Sequence, residues 1–195
     1  MTRIACCQLD PVLGDLDGND ELIRAALTDA VAAGADVVVL PELVTSGYMF
    51  TDAAEARTAA LSADSPRFAE WAALLGDSIA VLGFCELGTD GRLYNSAAVL
   101  QSGGVTSVYR KTHLWDREKL IFTPGEQLPP VLETRHGVLA VMVCYDLEFA
   151  ENGQEGLLAM RESSPTVIIL DLRMPVMDGL EFLDNIELRP TDPYS

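Results

Sequence analysis

The chain has 195 residues, 49% of them hydrophobic, and its 30 acidic against 13 basic side chains give a formal charge of −17. That length allows one substantial core or a domain plus a fragment. The charge is spread along the chain, net −11 over residues 1–150 and net −6 over 151–195, which disfavours nucleic acid and anionic membrane as partners. No apolar run approaches about 18 residues, so no transmembrane helix is expected. The opening MTRIACCQLDPVLG lacks the basic and apolar pattern of a secretory leader, which favours a cytoplasmic protein.

IACCQLD reads as a first strand. Asn19 is expected to cap a helix over 20–33, where Leu22, Ile23, Ala26, Leu27, Ala30 and Val31 recur at helical spacing and Gly34 stops it. ADVVVLPE is a short, almost wholly apolar strand, the pattern of a sheet covered on both faces. Ser65–Pro66 is a cap followed by a proline in the first turn, opening a helix that Gly76 ends. IAVLGFCELGTDGRLYNSAAVL predicts two strands joined by a turn at Asp90–Gly91, and SVYRK extends the same sheet. HGVLAVMVCYD predicts a turn and another buried strand. Beyond residue 150, AENGQEGLLAMRESSP reads as a helix, TVIIL as a strand and DGLEFLDNI as a short helix. The order is α/β, with adjacent antiparallel strands in a mixed sheet covered by helices.

The cysteines at 6, 7, 85 and 144 match neither a zinc knuckle nor a disulfide framework. Cys6, Cys7 and Cys85 read as buried free thiols. Cys144 ends an apolar run, as Glu42 does after VVVLP and Lys111 after SVYR. If these strands lie together, the three side chains converge. A thiolate attacks, a carboxylate carries the proton, and an ammonium stabilises the oxyanion and lowers the thiol pKa. That is acyl-transfer chemistry with no metal or organic cofactor. Taken singly, Glu42 and Lys111 could be surface termini of strands and Cys144 a core residue.

The segments VVLPELVTSGY, YRKTHL, FTPG and VMVCYDLEF occur in that order, and through them residues 1–149 closely resemble the carbon–nitrogen hydrolase, or nitrilase, superfamily. The resemblance implies an α-β-β-α sandwich and a Glu–Lys–Cys triad that hydrolyses non-peptide carbon–nitrogen bonds through a thioester. By it, Glu42 would be the general base and acid, Lys111 the oxyanion stabiliser and Cys144 the nucleophile. Glu118, in LWDREKLIF, would orient the lysine and substrate, the Tyr145 backbone N–H would donate to the oxyanion, and Tyr48 would line the acyl pocket or simply pack. His113, beside Lys111, reads as structural support more readily than as the base, and His136 sits in a turn-like RHG; neither forms a metal cluster with the cysteines. The implied substrate is a small amide, carbamoyl compound or nitrile, with water as co-substrate and a homo-oligomer as the assembly. Amide and nitrile substrates stay unseparated, with the amide preferred.

IILDLRMPVMDGLEFL, with the preceding NGQEGLLAMRESSPTV, resembles the receiver domain of response regulators over about 151–188. Asp171 would match that family's phosphoacceptor, and Met174, Pro175, Asp178 and Gly179 the loop beyond it. Phosphoryl transfer also needs Mg²⁺ held by carboxylates and a cation near the phosphate, and no acidic strand directly upstream supplies them. After CYDLEF the nitrilase pattern would continue with Pro–Glu, a helix and a further strand, whereas here Ala150–Glu151 lead into the receiver-like segment. The sequence therefore predicts a hydrolase-like domain at 1–149, C-terminally incomplete, with a receiver-like α-β-α fragment at 150–195 packed as part of the same body. Three readings compete: an active hydrolase, an impaired chimera retaining the triad, and a signalling module.

Overall fold

The computed structural model of the chain describes residues 2–144 and 146. Its elements in chain order are β1 (Ile4–Cys6), α1 (Leu16–Ala32), β2 (Val37–Val39), α2 (Ala53–Thr58), α3 (Pro66–Ala72), β3 (Ile79–Leu87), β4 (Leu93–Gln101), β5 (Gly104–Arg110), a 3-10 turn at Asp116–Leu120, β6 (Val131–Thr134) and β7 (Gly137–Ala140). Strands β1 to β5 form one sheet in sequence order, the first two junctions parallel and the last two antiparallel. The parallel pairs need crossovers, supplied by α1 and by the α2–α3 segment, whereas β3–β4–β5 is a meander closed by short turns. Gly91 takes φ of 77° in the first of those turns, where the Asp90–Gly91 pair was expected to sit.

Strand β3 explains why its sequence reads as an unbroken apolar run. Ala80, Leu82 and Phe84 point to one face and pack with Ile23 and Leu27 of α1 and Phe68 and Trp71 of α3. Ile79 and Val81 point the other way and meet Ala97, Val99 and Tyr109 under Leu139, Val141 and Val143. Both faces are covered, so the period-2 alternation of the strand never shows as polar against apolar. Phe68 stands edge-on to both Trp71 and Phe84, at 5.2 and 4.9 Å between centroids, a geometry that aromatic quadrupoles favour.

Several expected elements are corrected. Helix α1 starts at Leu16 with Asp15 as its cap, the carboxylate accepting from the Gly18 N–H. Asn19 is instead fully buried inside the helix, its amide bonded to the N–H and carbonyl of Val12 and to the carbonyl of Thr45. It ties two loops together, and Asp15 is left to satisfy the helix end. Helix α3 stops at Ala72, and tighter turns at Leu74 and Leu75 carry the chain to Gly76. The strand expected through HGVLAVMVCYD ends at Ala140, in a separate two-stranded sheet with β6. Its partner runs out at Pro130, which accepts from the Val141 N–H but, like Pro129, has no N–H to continue the ladder. Cys6 is exposed and Cys7 partly so; only Cys85 is a buried thiol, its pKa pushed up to about 12 by burial.

Gly83 marks where the sheet touches the loop after β2. Its N–H donates to the Pro41 carbonyl at 3.1 Å, and a Cβ there would overlap the Leu43 nitrogen and lie 2.6 Å from the Glu42 Cα. That loop is already constrained, since Leu43 has φ of 51°, a conformation costly for a branched side chain. Gly83→Ala is expected to lower stability by about 1–3 kcal/mol through overpacking, read from the urea midpoint. Gly103→Ala, where a Cβ would meet nothing within 4 Å, should leave the midpoint in place; equal behaviour of the two would refute the packing argument.

Candidate active site

Four elements deliver polar side chains to one place at the end of the strands where β2 and β5 finish and β4 begins. Glu42 lies in the turn after β2, Asn95 in β4, Lys111 directly after β5, and Glu118 on the 3-10 turn. The Lys111 backbone is fixed from both sides: its N–H donates to the Asn95 carbonyl at 2.8 Å, and its carbonyl accepts from the Gly125 N–H at 2.9 Å. Gly125, in the FTPG segment, has no room for a side chain, because a Cβ would collide with the Arg110 carbonyl. The lysine is thereby aimed inward.

The Lys111 ammonium is completely buried, 2.8 Å from Glu42 Oε1 and 3.0 Å from Glu118 Oε2. Glu118 is held in turn by the Tyr48 hydroxyl at 3.0 Å on Oε1 and by the Trp115 N–H at 2.8 Å on Oε2. The Asn95 amide donates to Glu42 Oε1 at 2.6 Å and to Glu118 Oε1 at 2.9 Å. The cluster therefore sets two carboxylates against one ammonium, under hydrogen bonds that satisfy the carboxylates. Burial works to lower the Lys111 pKa, but the charges of Glu42 and Glu118 outweigh it and hold the ammonium protonated above its usual range. Burial raises Glu42 above the ordinary carboxylate value, against the opposing charge of Lys111, which brings the group closer to the range of a working base. The Tyr48 hydroxyl is likewise pushed up by burial and by the two carboxylates, and stays a donor.

Cys144 sits in a turn just past buried Val143, partly exposed and with φ of 44°. A non-glycine residue at such a φ is strained, and strain of this kind collects at functional positions. Once ionised, the Cys144 sulfur is close enough for its charge to act on both Lys111 and Tyr48. Beside it, Asp146 binds the turn to the lysine loop. One carboxylate oxygen accepts from the N–H groups of Thr112 and His113 at 3.0 and 2.8 Å and from the Thr112 hydroxyl at 2.9 Å. The other accepts from the Tyr109 hydroxyl at 2.8 Å and the Val143 N–H at 3.3 Å.

The structure thus brings Glu42, Lys111, Glu118 and Tyr48 into direct contact and Cys144 within electrostatic reach of Lys111 and Tyr48. His113 faces Asp146, with Nδ1 at 3.2 Å, and His136 occupies the β6–β7 turn with Nε2 2.9 Å from the Asp77 carbonyl. Tyr145 and Asp171 lie outside the described residues. Among the described residues no group of three or more His, Cys, Asp or Glu side chains could hold a metal ion, and no helix is long and apolar enough to cross a membrane. A cavity of about 80 Å³ opens beside Glu118 and Tyr48, walled by Met49, Phe50, Trp115 and Phe122. Sequence reasoning missed Asn95 and Asp146. The signal for Asn95 was a polar Asn–Ser pair inside an apolar strand; for Asp146 it was only proximity to Cys144.

Residues 3–154 match the model of the carbon-nitrogen hydrolase family, and the chain belongs to that family, here in a domain fused to a response-regulator receiver-like one. Residues 128–194 match the response regulator receiver domain, a wider span than the motif alone indicated and one that overlaps the first. The chain is 32% identical to a nitrilase of Pyrococcus abyssi, over 90% of this chain and 67% of that protein. It is 31% identical to an (R)-stereoselective amidase of a Pseudomonas species, over 73% and 52% respectively. A structure of the amidase from Nesterenkonia sp. AN1, a variant with acrylamide added to its active-site cysteine, superimposes with a TM-score of 0.65 at 30% identity, covering 77% of this chain and 60% of that one. The nitrilase-like α/β sandwich is thereby established for the front of the chain. The chain spans about half to two thirds of the length of the curated relatives it matches.

Proposed function

We propose that the chain hydrolyses the carbon–nitrogen bond of a small amide or carbamoyl compound through a thioester on Cys144. The observation that carries this reading is the buried Lys111 ammonium held between Glu42 and Glu118 and within reach of the Cys144 thiolate charge. Glu42 takes the thiol proton as sulfur attacks the carbonyl carbon, and the new oxyanion is met by the Lys111 ammonium and, by family resemblance, by the Tyr145 N–H. Collapse breaks the carbon–nitrogen bond, the leaving amine or ammonia takes the proton back from Glu42, and an acyl thioester remains. Glu42 then deprotonates water, which attacks the thioester; the acid departs and Cys144 recovers its proton. Glu118, itself held by the Tyr48 hydroxyl, holds the lysine. In this reading residues 1–149 are the hydrolase domain and residues 150–195 the receiver-like one.

Support comes also from the family match and from the amidase whose active-site cysteine takes up acrylamide. The test is to offer the parent chain and Cys144→Ala a set of small amides, carbamoyl compounds and nitriles. Ammonia release, with hydroxamate formation when hydroxylamine traps the thioester, is expected of the parent and lost in the variant. A folded parent chain that releases no ammonia from any amide or carbamoyl compound would refute the proposal. Turnover of nitriles alone would move it to nitrile hydrolysis, and acetyl phosphate labelling of Asp171 without turnover would favour signalling.

A further inference from the structure

Among the described residues, Asn95 is the one that touches every charged member of the Glu42–Lys111–Glu118 cluster, and nothing in the acyl-transfer scheme uses it. Its side chain is wholly buried. One amide nitrogen donates to Glu42 Oε1 at 2.6 Å and to Glu118 Oε1 at 2.9 Å, and its backbone carbonyl accepts the Lys111 N–H at 2.8 Å. The register of β4 against β3, with Asn95 opposite Cys85, fixes its height in the sheet. The amide oxygen on the other side is buried and, among the described residues, has no hydrogen-bond partner.

That orphan oxygen is informative. Turning the amide over would set its oxygen against two carboxylate oxygens at the same short separations, which is repulsive, so the N–H groups must face the carboxylates. The site thus accepts a desolvated, unpaired carbonyl in exchange for two charge-assisted hydrogen bonds. A purely structural residue at this position could be any well-packed apolar side chain, with no orphan at all. The arrangement is suited to one electrostatic task. Two carboxylates that meet at one ammonium tend to share a proton, and a base holding that proton cannot accept one from a thiol.

We propose that Asn95 is a positioning residue that keeps Glu42 ionised beside Glu118 and a single lysine, and so available as the base at neutral pH. The inference rests on the reading of Glu42 as base and of Cys144 as the group it deprotonates. Asn95 does not touch the reacting atoms; it acts through Glu42.

The test is the rate of Cys144 alkylation by iodoacetamide against pH in the full chain, followed on the Cys144 peptide by mass spectrometry because Cys6 is exposed and Cys7 partly so, with Cys144→Ala as blank. In the parent the rate climbs as Glu42 ionises. In Asn95→Leu, which keeps the bulk and removes both donors, the rising limb should move up by about one pH unit. Asn95→Asp, which keeps the shape and adds a third carboxyl, should move it at least as far. Superimposable limbs, or a lower plateau with no movement of the limb, would overturn the proposal, as would failure of both variants to fold. Ammonia release measured alongside separates the two claims. A parent chain that alkylates with a titrating limb but releases no ammonia refutes the hydrolase reading alone; turnover with unmoved limbs refutes the role of Asn95 alone.

Discussion

A Lys111→Met chain is expected to be about 3–5 kcal/mol less stable than the parent at pH 7 and to release ammonia about 10²–10³-fold more slowly. The stability loss is large because the ammonium has no exposure to water and leaves Glu42 and Glu118 facing each other without a cation. Methionine fills the space, so the deficit is electrostatic and carries a pH signature. With the cation gone, the folded-state pKa of Glu42, already raised above its ordinary 4.5 by burial, rises further. A raised folded pKa means that the folded chain binds protons more tightly than the unfolded chain. The contribution is then fully present below the unfolded value and is lost as pH climbs through the folded one. The deficit should therefore shrink on acidification from pH 7 towards 4.5, as measured by urea unfolding at a series of pH values. In the parent, the Lys111 contribution runs to the other end: its folded pKa lies above the ordinary 10.5, so its stabilisation holds below that value and fades as pH rises through the raised one. A variant deficit that is constant with pH would show that the cluster is not what the lysine stabilises.

Asp146→Ala is the second substitution with a large expected effect. It removes the acceptor from three buried or part-buried N–H groups and two hydroxyls at once. Unmade hydrogen bonds at buried donors cost about 1–3 kcal/mol each where no water replaces the partner, so a total of about 3 kcal/mol or more is expected in thermal or urea unfolding. The functional consequence is separate. Asp146 is the bond between the turn carrying Cys144 and the loop following Lys111, and a displacement of about 1 Å between nucleophile and partners can cost about 10²-fold in rate. Alkylation of Cys144 and turnover should fall together in Asp146→Ala. Asp146→Asn, which keeps the oxygen that serves one set of donors, should lose less of both. If Asp146→Ala destabilised the chain yet alkylated at the parent rate, the coupling between the two segments would be refuted.

The parts of this architecture that could be read in advance are those whose signal is local. The α1 stripe, the apolar β2 segment and the Asp90–Gly91 hairpin each carry their own periodicity or turn chemistry, and each is present. Helix α2 is a single short turn-pair capped by Asp52, too brief for periodicity to register. The early end of β7 depends on two prolines just before its partner, a constraint invisible without knowing which strands pair. At the site the same division holds. Glu42, Lys111 and Glu118 stand at the ends of recognisable segments, and their contact follows from sheet order. Asn95 lies inside a strand and Asp146 among backbone donors of a distant loop, so both acquire meaning only from what folds against them. Asn19 differs from its expected role for the same reason: a helix-capping residue type is a buried cross-link here because Asp15 caps the helix.

The charged cluster also has a consequence for how the chain reaches its native state. Glu42 and Lys111 are 69 positions apart, Glu42 and Asn95 are 53 apart, and Tyr48 and Glu118 are 70 apart, while β3, β4 and β5 are sequential neighbours joined by tight turns. Closing long loops is entropically slower than zipping a meander. The meander, with Asn95 and the stem of Lys111, is therefore expected to assemble while the lysine is still hydrated, and Glu42 to arrive when the parallel strands dock. Desolvation of the ammonium becomes one of the last steps of folding rather than an early obstacle to it. Substitutions in the Glu42–Lys111 pair should accordingly speed unfolding far more than they slow refolding.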